Sequence, residues 1–244
     1  MKEPIVFAHR GASGYAPENT LEAFELALKL GARALESDVK ITRDRQLIFY
    51  HDFAIGKGIR SYPVSFVSLA NLRKYQLKKT GAEVPLVEDV FANLQGQDIT
   101  WSIDARGPDQ GRKLYNLAKK YGFQDNLYMV DTACRIKKAW ERSGMNSSQF
   151  VWSVRDFQIN HFGLQGILDH CKKAGVQTIN FKLEWLTPEI HAAVTALGIQ
   201  IFIWDTHDEE NIKKALSYCP EAIYSNYPDV ALKIVHDYAA SNNC

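Results

Sequence analysis

The chain lacks clustered cysteine, an excess of either charge, and any long apolar run. Its 29 basic side chains stand against 28 acidic ones, so it has no basic excess of the kind that counterion release on nucleic acid requires. No stretch approaches the roughly 18 apolar residues of a membrane span, and no stable membrane insertion is expected. The opening Met1-Lys2-Glu3-Pro4 leads into only four apolar residues, Ile5 to Ala8, too few for a signal-peptide core, so secretion is not expected. The four cysteines, Cys134, Cys171, Cys219 and Cys244, are scattered without CxxC spacing. They read as reduced thiols, hence a cytoplasmic protein. No Pro-, Gly- or Ser-rich linker, internal repeat or low-complexity segment divides the chain, which argues for one domain over residues 1–244.

What is present is an average globular composition, 46% hydrophobic and 23% charged over 244 residues, enough to bury a sizeable core. Short β-branched or apolar runs alternate with helical patterns. Strands are predicted at Ile5–Ala8, Ala34–Val39, Leu47–Tyr50, Thr100–Asp104, Leu127–Val130, Phe150–Ser153, Thr178–Asn180, Ile201–Trp204 and Ala222–Ser225. Helices are predicted at Thr20–Leu30, Leu86–Leu94, Gly111–Tyr121, Cys134–Ser143, Leu164–Ala174, Pro188–Leu197, Glu209–Tyr218 and Val230–Ala240. Repeated βα units imply a parallel sheet, either a closed barrel or an open doubly wound sheet. The connection Lys40 to Gln46 is too short for a parallel crossover, so Leu47–Tyr50 is expected to return antiparallel, leaving eight parallel strands. Residues 52–85 break the rhythm with Gly56, Gly58, Pro63 and a short helix near Ser68–Tyr75, and read as a small insertion.

Barrel active sites are built at the C-terminal ends of strands. There the sequence offers His9-Arg10-Gly11, Glu36 and Asp38, His51-Asp52, and Asp104 with Arg106. Glu36 and Asp38 share one face of their strand. With Asp104 they make three oxygen donors, a hard set that suits Mg2+ or Ca2+ rather than zinc. The competing reading is carboxylates solvated or paired with arginine. His9 and His51 form a candidate acid/base pair, against the ordinary alternative of hydrogen-bonded structural histidines, the reading given to His161, His170, His191 and His207. Arg10 and Arg106 are forks for an oxyanion, and Gly11, Ser13 and Gly14 let backbone amides approach it. Three carboxylates with two arginines leave one negative charge, and one divalent cation turns it into one positive charge, complementary to a phosphodiester. Trp204 and Phe202, two residues apart, face one way as pocket walls or as packed core.

His9-Arg10-Gly11, Pro17-Glu18-Asn19-Thr20, Glu36-Ser37-Asp38-Val39, Thr42 with Asp44, and His51-Asp52, in that order, closely resemble the glycerophosphodiester phosphodiesterases. Thinner matches follow at Val84–Glu88, Ile103–Arg106, the strand ending at Trp204, and Ala222–Pro228. The resemblance implies a TIM-type (β/α)8 barrel that hydrolyses glycerophosphodiesters to glycerol 3-phosphate and an alcohol with one divalent cation. Carried over, Glu36 and Asp38 are metal ligands, His9 and His51 the acid/base pair, and Arg10 the phosphate holder. A glycerol hydroxyl would attack first, and water would then open the cyclic phosphate. In Pro17–Thr20, Asn19 or Thr20 caps the helix that follows.

Asp104 and Arg106 stand where the family has Glu and Lys, a shorter ligand arm and a planar fork. Asp131 and Asp205 add acidic groups near the mouth, suited to choline or ethanolamine or else simply solvated. Two further readings remain: a non-catalytic phosphoester-binding barrel, and a lysophospholipase D-type enzyme. The latter needs an exposed apolar rim, for which the insertion offers Phe53, Ile55, Ile59, Tyr62, Phe66 and Leu69, with Lys57 and Arg60. Trp185 is a weaker candidate for a pocket wall.

Overall fold

The computed structural model describes residues 3–56 and 58–242. Readings that fall on Met1, Lys2, Lys57 and Cys244 lie outside them. The strands are β1 (Ile5–Ala8), β2 (Ala34–Ile41), β3 (Leu47–Phe49), β4 (Ala54–Ile55), β5 (Tyr62–Pro63), β6 (Thr100–Asp104), β7 (Leu127–Asp131), β8 (Phe150–Ser153), β9 (Thr178–Lys182), β10 (Gln200–Trp204) and β11 (Ala222–Ser225). The helices are α1 (Leu21–Lys29), α2 (Leu69–Thr80), α3 (Val87–Leu94), α4 (Gly107–Tyr121), α5 (Lys137–Glu141), α6 (Asp156–Ala174), α7 (Pro188–Thr195), α8 (Glu209–Leu216) and α9 (Pro228–Asn242).

A nine-stranded sheet runs β1-β11-β10-β9-β8-β7-β6-β2-β3 and closes through a β1–β2 pairing. All of its strands but β3 pair in parallel, which makes the TIM-type (β/α)8 barrel. β3 lies antiparallel on β2, with Val39 opposite Phe49 and Ile41 opposite Leu47, as the short connection requires.

The interior is stacked in two layers by the two-residue period of the strands. Phe7, Val130, Val151, Phe202 and Tyr224 fill the lower layer. Above it point the even-numbered Glu36 and Asp38 of β2 and Asp104 of β6, with Asp38 opposite Asp104 in register. Between the layers, Ser102 Oγ and Tyr224 Oη are 3.0 Å apart in a buried hydrogen bond.

Outward-facing side chains pack on the helices. Trp101 of β6 is fully buried, stacked on Phe49 of β3 at 5.8 Å and ringed by Phe24, Phe91 and Phe123. This cluster fixes β3 and so places His51 just beyond it. The helices begin and end as local chemistry dictates: Thr20 Oγ1 accepts from the Ala23 amide at the start of α1, and α2 and α4 stop at the left-handed glycines Gly81 and Gly122.

Four helices differ from the sequence expectation. α2 runs past the expected Tyr75 to Thr80. α4 starts at Gly107, because Pro108 suits a first turn. α6 reaches back to Asp156 across a kink at Gly163 (φ 63°, ψ 178°). Cys134–Ser143 resolves into a 3-10 turn, Cys134–Ile136, and the short α5. Among the described residues Cys134, Cys171 and Cys219 are free, and no helix is long and apolar enough to cross a membrane.

A Cβ added at Gly111 on α4 would overlap the Trp140 indole, which is buried and donates to the Gly107 carbonyl at 3.1 Å. Gly111→Val is expected to cost about 1–3 kcal/mol by overpacking, measured by urea denaturation. An unchanged midpoint would contradict that contact.

Candidate active site

The chain leaves β1 through a strained turn in which Arg10 takes a left-handed φ of 55°. This aims the Arg10 amide at Glu36 Oε2, 2.9 Å away. Gly11 follows with φ 79°, and a Cβ there would stand 2.6 Å from the Ala23 carbonyl carbon, so only glycine allows α1 this close. The amides expected to cradle an anion are used otherwise: Gly11 N–H donates to Ala8 O at 3.1 Å and Gly14 N–H to Asn226 O at 3.0 Å. Ser13 Oγ donates to His9 O at 2.7 Å.

The His9 Nδ1–H donates to Asn226 Oδ1 at 2.6 Å. With that proton fixed, Nε2 keeps its lone pair and lies 3.9 Å from Glu36 Oε2. Burial first, and then the Arg10 guanidinium, push the His9 imidazole down to about 4, so it is neutral at neutral pH. His207 stacks on it with ring centroids 5.3 Å apart. His207 therefore belongs beside the site, not among the remote structural histidines.

Glu36 and Asp38 are only 5% and 7% exposed, with a single guanidinium between them. Arg10 Nε lies 3.4 Å from Asp38 Oδ2 and Nη1 2.8 Å from Glu18 Oε2. Asn19, held at φ 59°, accepts from Ser37 Oγ at 2.6 Å and reaches Asp38 at 3.5 Å. Asp104 meets Arg106 Nη2 at 3.4 Å and Arg155 Nη2 at 3.9 Å. Burial, then the Asp38 and Asp104 charges, raise the Glu36 carboxyl well above its usual range. Burial also raises Asp104, against Arg106. Lys40, two residues beyond Asp38, is lowered by burial while both aspartates oppose the shift. Its charge too lies near the cluster.

These groups surround a cavity of about 150 Å3 at the C-terminal end of the barrel. Of the residues singled out from sequence, His9, His51, Glu36, Asp38, Asp104 and Arg10 line it, together with Trp204. His51 stands at its exposed edge, its Nδ1 3.2 Å from Asp52 Oδ1.

Four expectations are corrected. Arg106 does not line the cavity; it holds the N-cap position of α4 without a side-chain cap bond, its guanidinium between Asp104 and Asp131, with Nη1 3.7 Å from Asp131 Oδ1. Phe202 shares the face of Trp204 but sits one layer lower, packed 6.0 Å from Phe7 and 5.2 Å from Tyr128. Asp205 turns away at φ 70° to pair with Lys182 at 3.3 Å and His207 at 3.6 Å. Nor is Asp131 a solvated rim charge: it is 2% exposed and accepts from the Gly107 amide at 3.0 Å and the Ala133 amide at 2.8 Å.

Ser153, Arg155, Asn180 and Tyr224 line the cavity without having been expected there. Ser153 ends β8 and Arg155 follows it, so the rule that found His9 and Asp104 could have found them, whereas Asn180 sits in the middle of β9 and Tyr224 one residue short of the end of β11. Arg155 packs its guanidinium 5.5 Å from the Trp204 ring, and it restores the charge count that Arg106 leaves short. Trp185 reaches Trp204 edge-on at 5.6 Å and backs the pocket wall. Asn180 Oδ1 and Trp204 Nε1 are buried without a hydrogen-bond partner, as polar atoms reserved for a ligand would be.

Among the described residues no group of three or more His, Cys, Asp or Glu side chains is arranged to hold a metal ion. Glu36, Asp38 and Asp104 instead present an open, all-oxygen set of buried like charges. Three carboxylates are the donor type that a hard cation such as Mg2+ or Ca2+ takes.

A closed barrel with carboxylates, imidazoles and guanidiniums gathered at its C-terminal mouth defines the TIM-barrel class, with a candidate active site where that class builds it. The family model described as "Glycerophosphoryl diester phosphodiesterase family" matches residues 9–230. The chain belongs to that family, and with it to the phosphoric diester hydrolases. It is 23% identical over 254 residues to a glycerophosphodiester phosphodiesterase of Caldanaerobacter subterraneus, covering 95% of this chain and 97% of that one. A human lysophospholipase D is 23% identical over 271 residues, 96% and 86% covered. An Oleispira antarctica phosphodiesterase, solved with its product sn-glycerol-3-phosphate, superposes with TM-score 0.81 at 16% identity over 96% and 97% of the two chains.

Asp131→Ala removes the buried acceptor of two half-buried amides. It is expected to destabilise the protein by about 1–3 kcal/mol, read by thermal or urea unfolding; a loss under about 0.5 kcal/mol would show those bonds to be replaceable by water.

Proposed function

We propose that this protein hydrolyses glycerophosphodiesters to glycerol 3-phosphate and an alcohol, with one divalent cation, Mg2+ or Ca2+, bound by Glu36, Asp38 and Asp104. The observation that carries this reading is the convergence of His9, His51, Arg10 and all three carboxylates on one cavity. The product in the Oleispira enzyme is the phosphoester expected here.

The bound cation supplies positive charge that lowers the cost of negative charge developing on the phosphoryl oxygens. Arg10 and Arg155 hold the remaining phosphoryl oxygens from either side. His9 Nε2, its lone pair set by the Nδ1–H donated to Asn226, accepts the proton of the attacking glycerol hydroxyl. That oxygen bonds to phosphorus while the bond to the alcohol breaks, and His51 gives its proton to the departing alcohol oxygen. In the second step the roles reverse: His51 takes a proton from water, whose oxygen adds to phosphorus, and His9 returns its proton to the glycerol oxygen as the cyclic ester opens. Both imidazoles are then back in their starting protonation states, the proton that left with the alcohol having been replaced from water. Trp204 and Asn180 border the space left for the glycerol portion.

A second reading, a lysophospholipid as substrate, draws on one observation: Phe53 and Phe66 beside the mouth are 76% and 71% exposed. Turnover of micellar lysophosphatidylcholine compared with glycerophosphocholine decides between them.

With excess EDTA, hydrolysis of glycerophosphocholine is expected to fall by at least about 10²-fold and to return with Mg2+ or Ca2+. Full activity in EDTA would remove the metal, and tight binding without product under any cation would make this a phosphoester-binding barrel. His9→Ala and His51→Ala should each lower kcat by about 10² to 10⁴ with folding intact; a loss below about tenfold at both would take the imidazoles out of the chemistry.

A further inference from the structure

The insertion that follows His51 carries a charge the rest of the molecule does not share. Residues 53–80 contain six basic side chains, Lys57, Arg60, Arg73, Lys74, Lys78 and Lys79, and no acidic one. Removing these six from the chain's 29 basic residues leaves 23 against 28 acidic ones, so a positively charged segment is mounted on a net negative body. Arg73 pairs with Glu83 at 3.0 Å and Lys79 with Asp52 at 3.4 Å. Arg60, Lys74 and Lys78 are exposed, and no ion pair is found for them among the described residues.

The same segment exposes large apolar side chains that its own packing does not use. Its satellite core is built from Ile48, Tyr50, Val64, Val67, Leu72 and Val84. Phe53, Phe66 and Tyr62 remain outside, 76%, 71% and 58% exposed, and Leu77 of α2 is 55% exposed between Lys74 and Lys78. These parts are tied together: β4 pairs with β5, Val64 N–H donates to Phe53 O at 3.0 Å, and Lys79 at the end of α2 reaches the residue before Phe53. Since Phe53 lies two residues from His51, this face borders the entrance to the cavity.

We propose that the insertion is a docking surface for an anionic phospholipid bilayer, seating the mouth of the barrel against the lipid–water interface. Exposed aromatics partition into the headgroup region, and basic side chains are drawn by the negative surface potential within a Debye length. Either contribution alone holds a protein only weakly, and the insertion combines both. A soluble acidic protein or a nucleic acid would be recognised by charge without needing Phe66.

The test is flotation of the full chain with vesicles of phosphatidylcholine alone or with about 30 mol% phosphatidylglycerol, at about 0.1 M and about 1 M salt. The protein is expected to float with the anionic vesicles at low salt and at least about tenfold less at high salt. Lys74→Glu/Lys78→Glu should weaken partitioning at least about tenfold and Phe66→Ser at least about threefold, with circular dichroism unchanged and glycerophosphocholine turnover within about twofold. No flotation with anionic vesicles overturns the proposal, and so does flotation that neither variant weakens. Retention on heparin without flotation, lost only on charge reversal, assigns the face to a soluble polyanion and overturns it equally. This inference goes beyond the catalytic reading, because a protein that floats but does not turn over glycerophosphocholine refutes that reading and leaves the docking surface standing.

Discussion

The barrel is organised around an electrostatic conflict at its mouth: Glu36, Asp38 and Asp104 are held inside, in register on adjacent strands, where their mutual repulsion is poorly screened. A fold tolerates such a group only if something compensates. Arg10 reaches in with its side chain at 3.4 Å from Asp38 and its backbone amide at 2.9 Å from Glu36. Arg106 and Arg155 approach Asp104, and Lys40 contributes from the same strand face. Even with these partners, burial and the two aspartate charges push the Glu36 carboxyl toward its protonated form.

The rest of the molecule can be read as the means of holding those charges in place. The left-handed turn at Arg10 is kept by Gly11 pressed against Ala23. The aromatic cluster around Trp101 holds β3 on β2 and delivers His51 to the cavity edge. Asp131, buried among backbone amides, fixes the start of α4 just after Asp104, and Arg106 is spent on that junction. The same acidic chemistry thus serves two purposes a few residues apart: Asp104 faces the cavity, Asp131 stitches loops.

Much of this was legible in the residues. Strand positions followed from β-branched runs, the antiparallel β3 from the shortness of Lys40–Gln46, and the shared face of Glu36 and Asp38 from strand periodicity. Reading stopped short where the outcome depends on side-chain direction or height in the barrel. Periodicity says that Phe202 and Trp204 point the same way, but not that one layer is packed shut by Phe7 and Tyr128 while the next is open. Nor does it say which of two arginines, Arg106 or Arg155, turns inward, since both follow a strand end by two residues. Helix starts moved for local reasons, with Pro108 beginning α4 and Gly163 kinking α6. Asn226, which sets the proton on His9, lies 217 residues away in sequence, and only closure of the sheet through β1 and β11 brings the two together.

The hydrogen bond between Ser102 and Tyr224, with the aromatic layer beneath it, turns the barrel into a vessel stoppered at its base. Traffic is therefore one-ended. Any molecule that reaches the carboxylates must leave through the opening by which it arrived. A single doorway is thus imposed by the plumbing of the interior, without any moving part.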